Sequence, residues 1–243
     1  MFKHEEYYHN QQAPKKIVPY VYKLVEPSSV VDIGCGLGTF LHEFRRLGVD
    51  DLLGIDGEWV DRDLLFKNIE PDQFLQKDLT GKVDLGRRFD LAVSLEVAEH
   101  IPEEYSENFL DTLTGLSDMI LFSAAIPQQG GYNHFNERWV GYWIEKFKKR
   151  GYSFHDLLRP VFWNDEDIFW WYRQNMFLVV KDTAETDFSH IEEIEDNRIH
   201  DHIHPDLFTA LAARFNKAHS GDEKFIYYIK LFVKYILRRL RLR

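Results

Sequence analysis

Two carboxylates and an imidazole sit at Glu96, Glu99 and His100 in the stretch SLEVAEHIPEE, and a second imidazole follows at His134 in GGYNHFNERW. Offsets of three and four residues place the first three on one face if the chain makes a helical turn there. Acid oxygens combined with imidazole nitrogens can hold a divalent cation such as Mg2+ or Mn2+. The same histidines can work without a metal, because an imidazole titrating near neutral pH is a natural base for removing a hydroxyl proton. His134 is the first candidate for that base and His100 the second, and ligand and base are competing roles. A reading without chemistry also exists, in which Glu99 caps or pairs, His100 packs and His134 lines a pocket.

A second constellation lies upstream. Residues 30–39 read VVDIGCGLGT, an apolar run ending in Asp32 and then Gly34, Gly36 and Gly38 at alternate positions. A helix N-terminus offers unpaired N–H groups, and glycines let a ligand approach the backbone. A dinucleotide-binding turn, G-x-G-x-x-G, would need its third glycine where this chain has Thr39. A carboxylate at Asp32 suits a cationic amine better than a pyrophosphate. Asp56 closes the apolar stretch DLLGID, where it can accept hydrogen bonds from two ribose hydroxyls.

These groups need a scaffold, and hydrophobic periodicity supplies one. Strands are expected over 29–34, 51–56, 73–79, 89–96, 118–127 and 175–182, with helices over 39–47, 61–68, 102–116 and 136–152 between them. Alternating strands and helices imply an α/β, mostly parallel sheet that binds ligands at the carboxyl ends of its strands. Two aromatic clusters flank the site: Trp139, Tyr142, Trp143 and Phe147 on one helical stripe, and Trp163, Trp170, Trp171 and Tyr172 ahead of the last strand. Such stripes serve either as core or as walls for a flat ligand.

The glycine stretch resembles the first motif of class I S-adenosylmethionine-dependent methyltransferases, commonly E/D-x-G-x-G-x-G, and the likeness runs from about Val30 to Asp182. It implies a Rossmann-like, seven-stranded, mostly parallel sheet with helices on both faces and an antiparallel last strand. The cofactor would be S-adenosylmethionine. Asp32 and the turn Gly34, Cys35 and Gly36 would hold its methionine part, with Gly38 and Gly57 also in the site. Asp56 would hold the ribose, and Asp78 with Leu79 would meet the adenine. Ser94, Leu95 and Glu96 would form the floor after the fourth strand. E-x-x-E-H followed by a later histidine resembles the metal site of small-RNA 2′-O-methyltransferases and some ubiquinone-pathway O-methyltransferases, which would make Glu96, Glu99, His100 and His134 ligands of Mg2+ or Mn2+. The aromatic segments resemble methyltransferases that accompany bacterial surface-polysaccharide genes. The implied activity is methyl transfer to a hydroxyl of a sugar or glycoconjugate. The alternatives are a metal-dependent enzyme acting on RNA ends or quinone-pathway phenols, and a non-catalytic cofactor-binding protein.

Composition narrows the partners. With 243 residues and 44% apolar content the chain can bury a sizeable core, and its single cysteine, Cys35, fits a reducing, cytoplasmic setting. A net charge of −10 argues against nucleic acid as a partner of the body. No apolar run approaches the ~20 residues of a membrane span, and the start MFKHEEYYHN does not read as a signal peptide. Three regions are expected: 1–28 as an N-terminal helical region or lid over the cofactor, with Tyr7 or Tyr8 touching it, unless it is a frayed tail; 29–182 as the methyltransferase domain; and 183–243 as an acidic connector leading to a basic amphipathic helix over 225–243. That helix suits an anionic membrane surface, at the inner face of a membrane, or a second subunit. A nucleic-acid role for it is weaker, because leucines interrupt its bases.

Overall fold

The computed structural model describes residues 11–184, 202–220 and 232. The chain divides into two compact units, Met1–His202 and Ile203–Arg243. The proposed lid residues Tyr7 and Tyr8, the acidic connector, and the basic segment 225–243 apart from Phe232 all lie outside the described residues.

In the first unit the chain runs α1 (Gln12–Val25), β1 (Ser29–Ile33), α2 (Thr39–Arg46), β2 (Asp51–Asp56), α3 (Arg62–Leu65), β3 (Phe74–Gln76) and β4 (Leu91–Leu95). It continues as α4 (Ser106–Leu116), β5 (Met119–Ser123), α5 (Val140–Lys148), β6 (Tyr152–His155), α6 (Arg159–Phe162), α7 (Trp170–Asn175) and β7 (Phe177–Lys181). The second unit contains α8 (Pro205–Ser220). The seven strands form one sheet in the order β3-β2-β1-β4-β5-β7-β6. Only β7 runs antiparallel to its neighbours. This is the seven-stranded, mostly parallel Rossmann-like arrangement expected from the sequence. Strand order reverses between β1 and β4, which opens a crevice at their carboxyl ends.

Each face of the sheet buries an apolar layer. On one, Phe109, Leu110 and Leu113 of α4 and Trp143 and Phe147 of α5 pack with Ile33, Ile55 and Phe122. Phe122 meets Trp143, Phe147 and Phe154 edge-on at centroid distances of 5.6, 5.2 and 6.1 Å. Each large ring removed from water in this way contributes about 2–3 kcal/mol. On the other face, Ile17, Val18 and Val21 of α1 and Leu41 and Phe44 of α2 cover Leu121 and Leu178. The Trp143–Phe147 stripe is therefore core, whereas Trp139 stays exposed.

Several boundaries differ from the sequence expectation for local reasons. The helix expected over 61–68 is confined to α3, where the Asp61 side chain caps the N–H groups of Asp63 and Leu64. The helix expected from residue 136 begins at Val140, because residues 128–139 form a loop over the end of β5. Strand β6 is four residues long and α7 six. Neither is long enough to show a period. Among the described residues no helix is long and apolar enough to cross a membrane.

Candidate active site

The glycine turn is tied to β2 by its own N–H groups. Gly34 and Cys35 donate to the Ile55 carbonyl at 2.7 and 3.3 Å, and Gly36 donates to the Asp56 carboxylate at 2.8 Å. Gly38 donates to the Cys35 carbonyl at 2.8 Å. These four donors are spent on the protein and are not open to a phosphate. Gly34, Gly36 and Gly38 have φ values of 82°, 52° and 72°, where a side chain is strained. At Gly34 a Cβ would also lie 2.8 Å from Cγ1 of Val97 and closer still to Cγ2. The turn from β1 thus packs against the segment that follows β4.

Around the turn the chain gathers acids. Asp32 is 4% exposed, and its carboxylate accepts no hydrogen bond among the described residues. Burial, and then the charge of Asp56, push its pKa well above the ordinary carboxylate range. Asp56 accepts from Gly36 and, at 2.6 Å, from Gly57, with a further bond from the Trp59 side chain. Burial raises the pKa of Asp56 and these bonds oppose the rise. A buried carboxylate without a partner is costly unless a cation completes it. A positive group near Asp32 would offset that cost, and binding such a group is the role expected of Asp32 from the sequence. Residues at the other expected cofactor positions have identifiable structural partners. Cys35 packs its thiol against Gly54, and burial pushes that thiol well above its usual pKa, so it is not a nucleophile. Ser94 donates to the Ile33 carbonyl at 3.0 Å and ties β4 to β1. Asp78 accepts from the Thr80 N–H and hydroxyl at 2.9 and 2.8 Å beside the buried Leu79, and Leu95 is half-buried.

The second constellation assembles only in part. Candidate ligand atoms of Glu99, His100 and His134 lie within 4.8 Å of one another. Glu99 is fully buried, and among the described residues its carboxyl oxygens approach the backbone N–H groups of Glu99 and Ala125 without good hydrogen-bond geometry. Burial and then the charge of Glu96 drive its pKa well above the ordinary value. The His100 and His134 rings meet edge-on at 4.9 Å. His100 Nδ1 lies 3.3 Å from the Asn133 carbonyl, and His134 Nδ1 lies 3.0 Å from Glu137 Oε1. Glu96, the fourth expected ligand, is not in this group. It adopts φ 56° and ends the strand, so only Ala98–His100 make a helical turn, of the 3-10 type. The single helical face expected for Glu96, Glu99 and His100 therefore does not form. The Glu96 carboxylate instead accepts from Gln129 at 2.7 Å and Asn175 at 3.1 Å, and burial pushes its pKa up to about 7. Two adjacent carboxyls, Glu99 buried and Glu96 half-buried, disfavour ionising together without a compensating cation.

Sequence reasoning did not single out Gln129, Glu137 or Asn175, nor did it place Tyr172 in the site. Glu137 stands three residues from His134, a spacing that could have flagged it. Tyr172 packs edge-on against Phe40 at 5.8 Å. Burial, and then the charges of Glu96, Asp32 and Glu99, raise the pKa of its phenol. Tyr172 thus belongs to the electrostatic environment of both constellations.

Comparison with known proteins agrees with this geometry. The methyltransferase domain family matches residues 2–120. The mitochondrial ubiquinone biosynthesis O-methyltransferase of Dictyostelium discoideum is 26% identical over 104 residues, which cover 37% of this chain and 32% of that protein. The matched region thus spans about a third of that relative's length. The methyltransferase domain of bacterial CtHen1-C superposes with a TM-score of 0.51 at 20% identity, covering 71% of this chain and 98% of that one. The sugar N-methyltransferase KedS8 of Streptoalloteichus superposes with a TM-score of 0.54 at 13% identity, covering 71% and 88%. The methyltransferase-domain match over residues 2–120, the Rossmann-like fold, the buried Asp32 and the Asp56-anchored turn agree in pointing to an S-adenosylmethionine-dependent methyltransferase.

Proposed function

We propose that this protein is a metal-assisted O-methyltransferase that transfers the cofactor's methyl group to a hydroxyl of an uncharged, ring-containing acceptor, a sugar or glycoconjugate in the first instance. The observation that carries the reading is the grouping of Glu99, His100 and His134 with neither Glu99 oxygen in a well-formed hydrogen bond. S-adenosylmethionine supplies an activated methyl, and a divalent cation, when bound, supplies charge that makes an acceptor hydroxyl easier to deprotonate. The chain's own contribution is alignment. Asp32 attracts the cationic end of the cofactor, Asp56 fixes the ribose end, and Glu99, His100 and His134 are the residues that would hold the cation. Gln129 and Asn175 hold the Glu96 carboxylate in place beside Glu99. Support for an uncharged acceptor comes from the net charge of −10 and from Tyr132 and Phe135, 55% and 64% exposed on the loop that carries His134. The curated relative's name favours a second acceptor class, a phenolic hydroxyl of a quinone precursor. The basic, apolar sequence 225–243 supports a site of action at an anionic membrane surface, where a lipid-linked acceptor would be presented.

The test is methyl transfer to a panel of pyranosides with adjacent hydroxyls, a catechol and a short RNA ending in a 2′,3′-diol, each with chelator and with added Mn2+. Activity should vanish in chelator and return with Mn2+, and Glu99→Gln or His134→Ala should lower turnover by about 10²-fold or more while sparing cofactor binding. Full activity in chelator combined with an inactive His134→Ala would replace the metal reading with a plain base at His134. An active His134→Ala enzyme would remove both.

A further inference from the structure

We propose that Glu137 is a positioning residue that fixes the tautomer of His134 and couples it to the conformation of the loop that bears it. Its effect on metal binding rests on the function proposed above, whereas its effect on the imidazole does not. Glu137 Oε1 lies 3.0 Å from His134 Nδ1 and 2.7 Å from the Gly130 nitrogen, and Oε2 lies 2.8 Å from the Gln128 nitrogen. An ionised carboxylate only accepts, so His134 Nδ1 must carry the proton. In a neutral ring the lone pair then resides on Nε2, leaving that nitrogen to enter the group with Glu99 and His100. The partner that fixes a ligand histidine's tautomer in this way usually matters nearly as much as the ligand itself.

The same carboxylate braces the loop. Gln128, Gly130 and Asn133 all have positive φ values, 72°, 73° and 57°. Glu137 accepts from the first two of these residues, holding a backbone that would otherwise be strained. A Cβ at Gly131 would lie 2.2 Å from Nε2 of the His134 ring, so the edge of the imidazole packs directly on this loop. Backbone shape and ring orientation are thus set by one side chain of which the surface sees little.

Glu137→Gln is the informative change because an amide is one acceptor and one donor. If its oxygen faces Gly130 and His134, its NH2 opposes the Gln128 N–H. If it flips, its NH2 opposes Gly130 and His134, and the imidazole is driven to the other tautomer. The full chain, free of metal and at mildly alkaline pH, should show His134 by 15N NMR with Nδ1 protonated and Nε2 bare. Glu137→Gln should shift the proton measurably toward Nε2 as the flipped amide becomes populated, and Glu137→Asp should retain the original tautomer at least in part. In calorimetry Glu137→Gln should weaken Mn2+ binding by about 10- to 100-fold and leave S-adenosylmethionine binding unchanged, which also shows that the variant is folded. A wild-type His134 protonated on Nε2, or an unchanged tautomer in Glu137→Gln, would overturn the proposal. A wild type with the stated tautomer and no affinity for Mn2+ would uphold the positioning role while removing the metal reading.

Discussion

Gly34→Ala should damage the enzyme in two separable ways, because two unrelated constraints meet at that Cα. The backbone there has φ 82°, and an L-residue forced into such a conformation costs about 1–2 kcal/mol. The new methyl would also overlap Val97, whose Cγ1 lies 2.8 Å from the ideal Cβ position. Val97 is buried, and overpacking of this kind costs about 1–3 kcal/mol. Together these amount to about 2–5 kcal/mol, or roughly 4–20 °C in Tm for a chain of this size. The disturbance is not confined to stability. Val97 follows Glu96, and the turn it would push carries the Gly36 N–H that holds Asp56. S-adenosylmethionine affinity should therefore fall as well. Urea unfolding followed by circular dichroism, paired with calorimetry, reads both effects. Adding Val97→Ala separates the two causes: it relieves the overlap and leaves the φ strain. The double mutant should show a favourable coupling of about 1–3 kcal/mol without full recovery. A Gly34→Ala protein within about 0.5 kcal/mol of wild type and binding the cofactor normally would refute the argued packing of the turn against Val97.

Three further outcomes follow from the same geometry. Asp56→Ala leaves the N–H groups of Gly36 and Gly57 without their acceptor, so S-adenosylmethionine binding should weaken by about 1–3 kcal/mol in calorimetry; unchanged affinity would remove Asp56 from the site. The Glu96–Glu99 pair should make the cofactor-free protein lose stability as pH rises from 4.5 to about 7, because the folded Glu96 holds its proton to a higher pH than the unfolded chain does. A Tm series against pH checks this, and Glu96→Gln should flatten the slope; Glu107, lowered to about 2 chiefly by its bond to Lys146, acts in the opposite direction but only at lower pH. Truncation after Lys224 should abolish sedimentation with anionic liposomes at low salt, since each base near such a surface contributes about 1 kcal/mol and salt screens it; a full-length protein that ignores liposomes would end the membrane proposal.

Asp32, the three glycines and Asp56 were readable as one site because chain order and space coincide there. Each closes or follows a strand, and adjacent parallel strands bring their ends together whatever the side chains do. Glu96, Glu99 and His100 were harder to read. The rule that i, i+3 and i+4 share a face assumes a helix, and a left-handed Glu96 breaks it. The Glu96 carboxylate is held by Gln129 and by Asn175, the latter 79 residues further on, which no local period could reveal. The loop around His134 has no period to read, and the three-residue spacing to Glu137 was the one local hint of a partner for it.

The donors of the glycine turn carry the last step of the argument. From sequence alone, three alternate glycines before a helix suit an anion or a cation, and only Asp32 tips the balance. The structure adds an independent reason. Ile55 and Asp56 already take the N–H groups of Gly34, Cys35 and Gly36, while Asp32 stays buried with no hydrogen bond to its carboxylate among the described residues. A turn with those donors occupied and a buried acid beside it favours positive charge. The same logic recurs at Glu99, whose carboxyl, without a well-formed hydrogen bond, lies beside a half-buried acid and two imidazoles. In both places the informative feature is an acceptor left unpaired at a cost of at least a few kcal/mol. Such a cost is tolerated where a ligand offsets it, which is the physical reason the proposed function places the cofactor at Asp32 and the cation at Glu99.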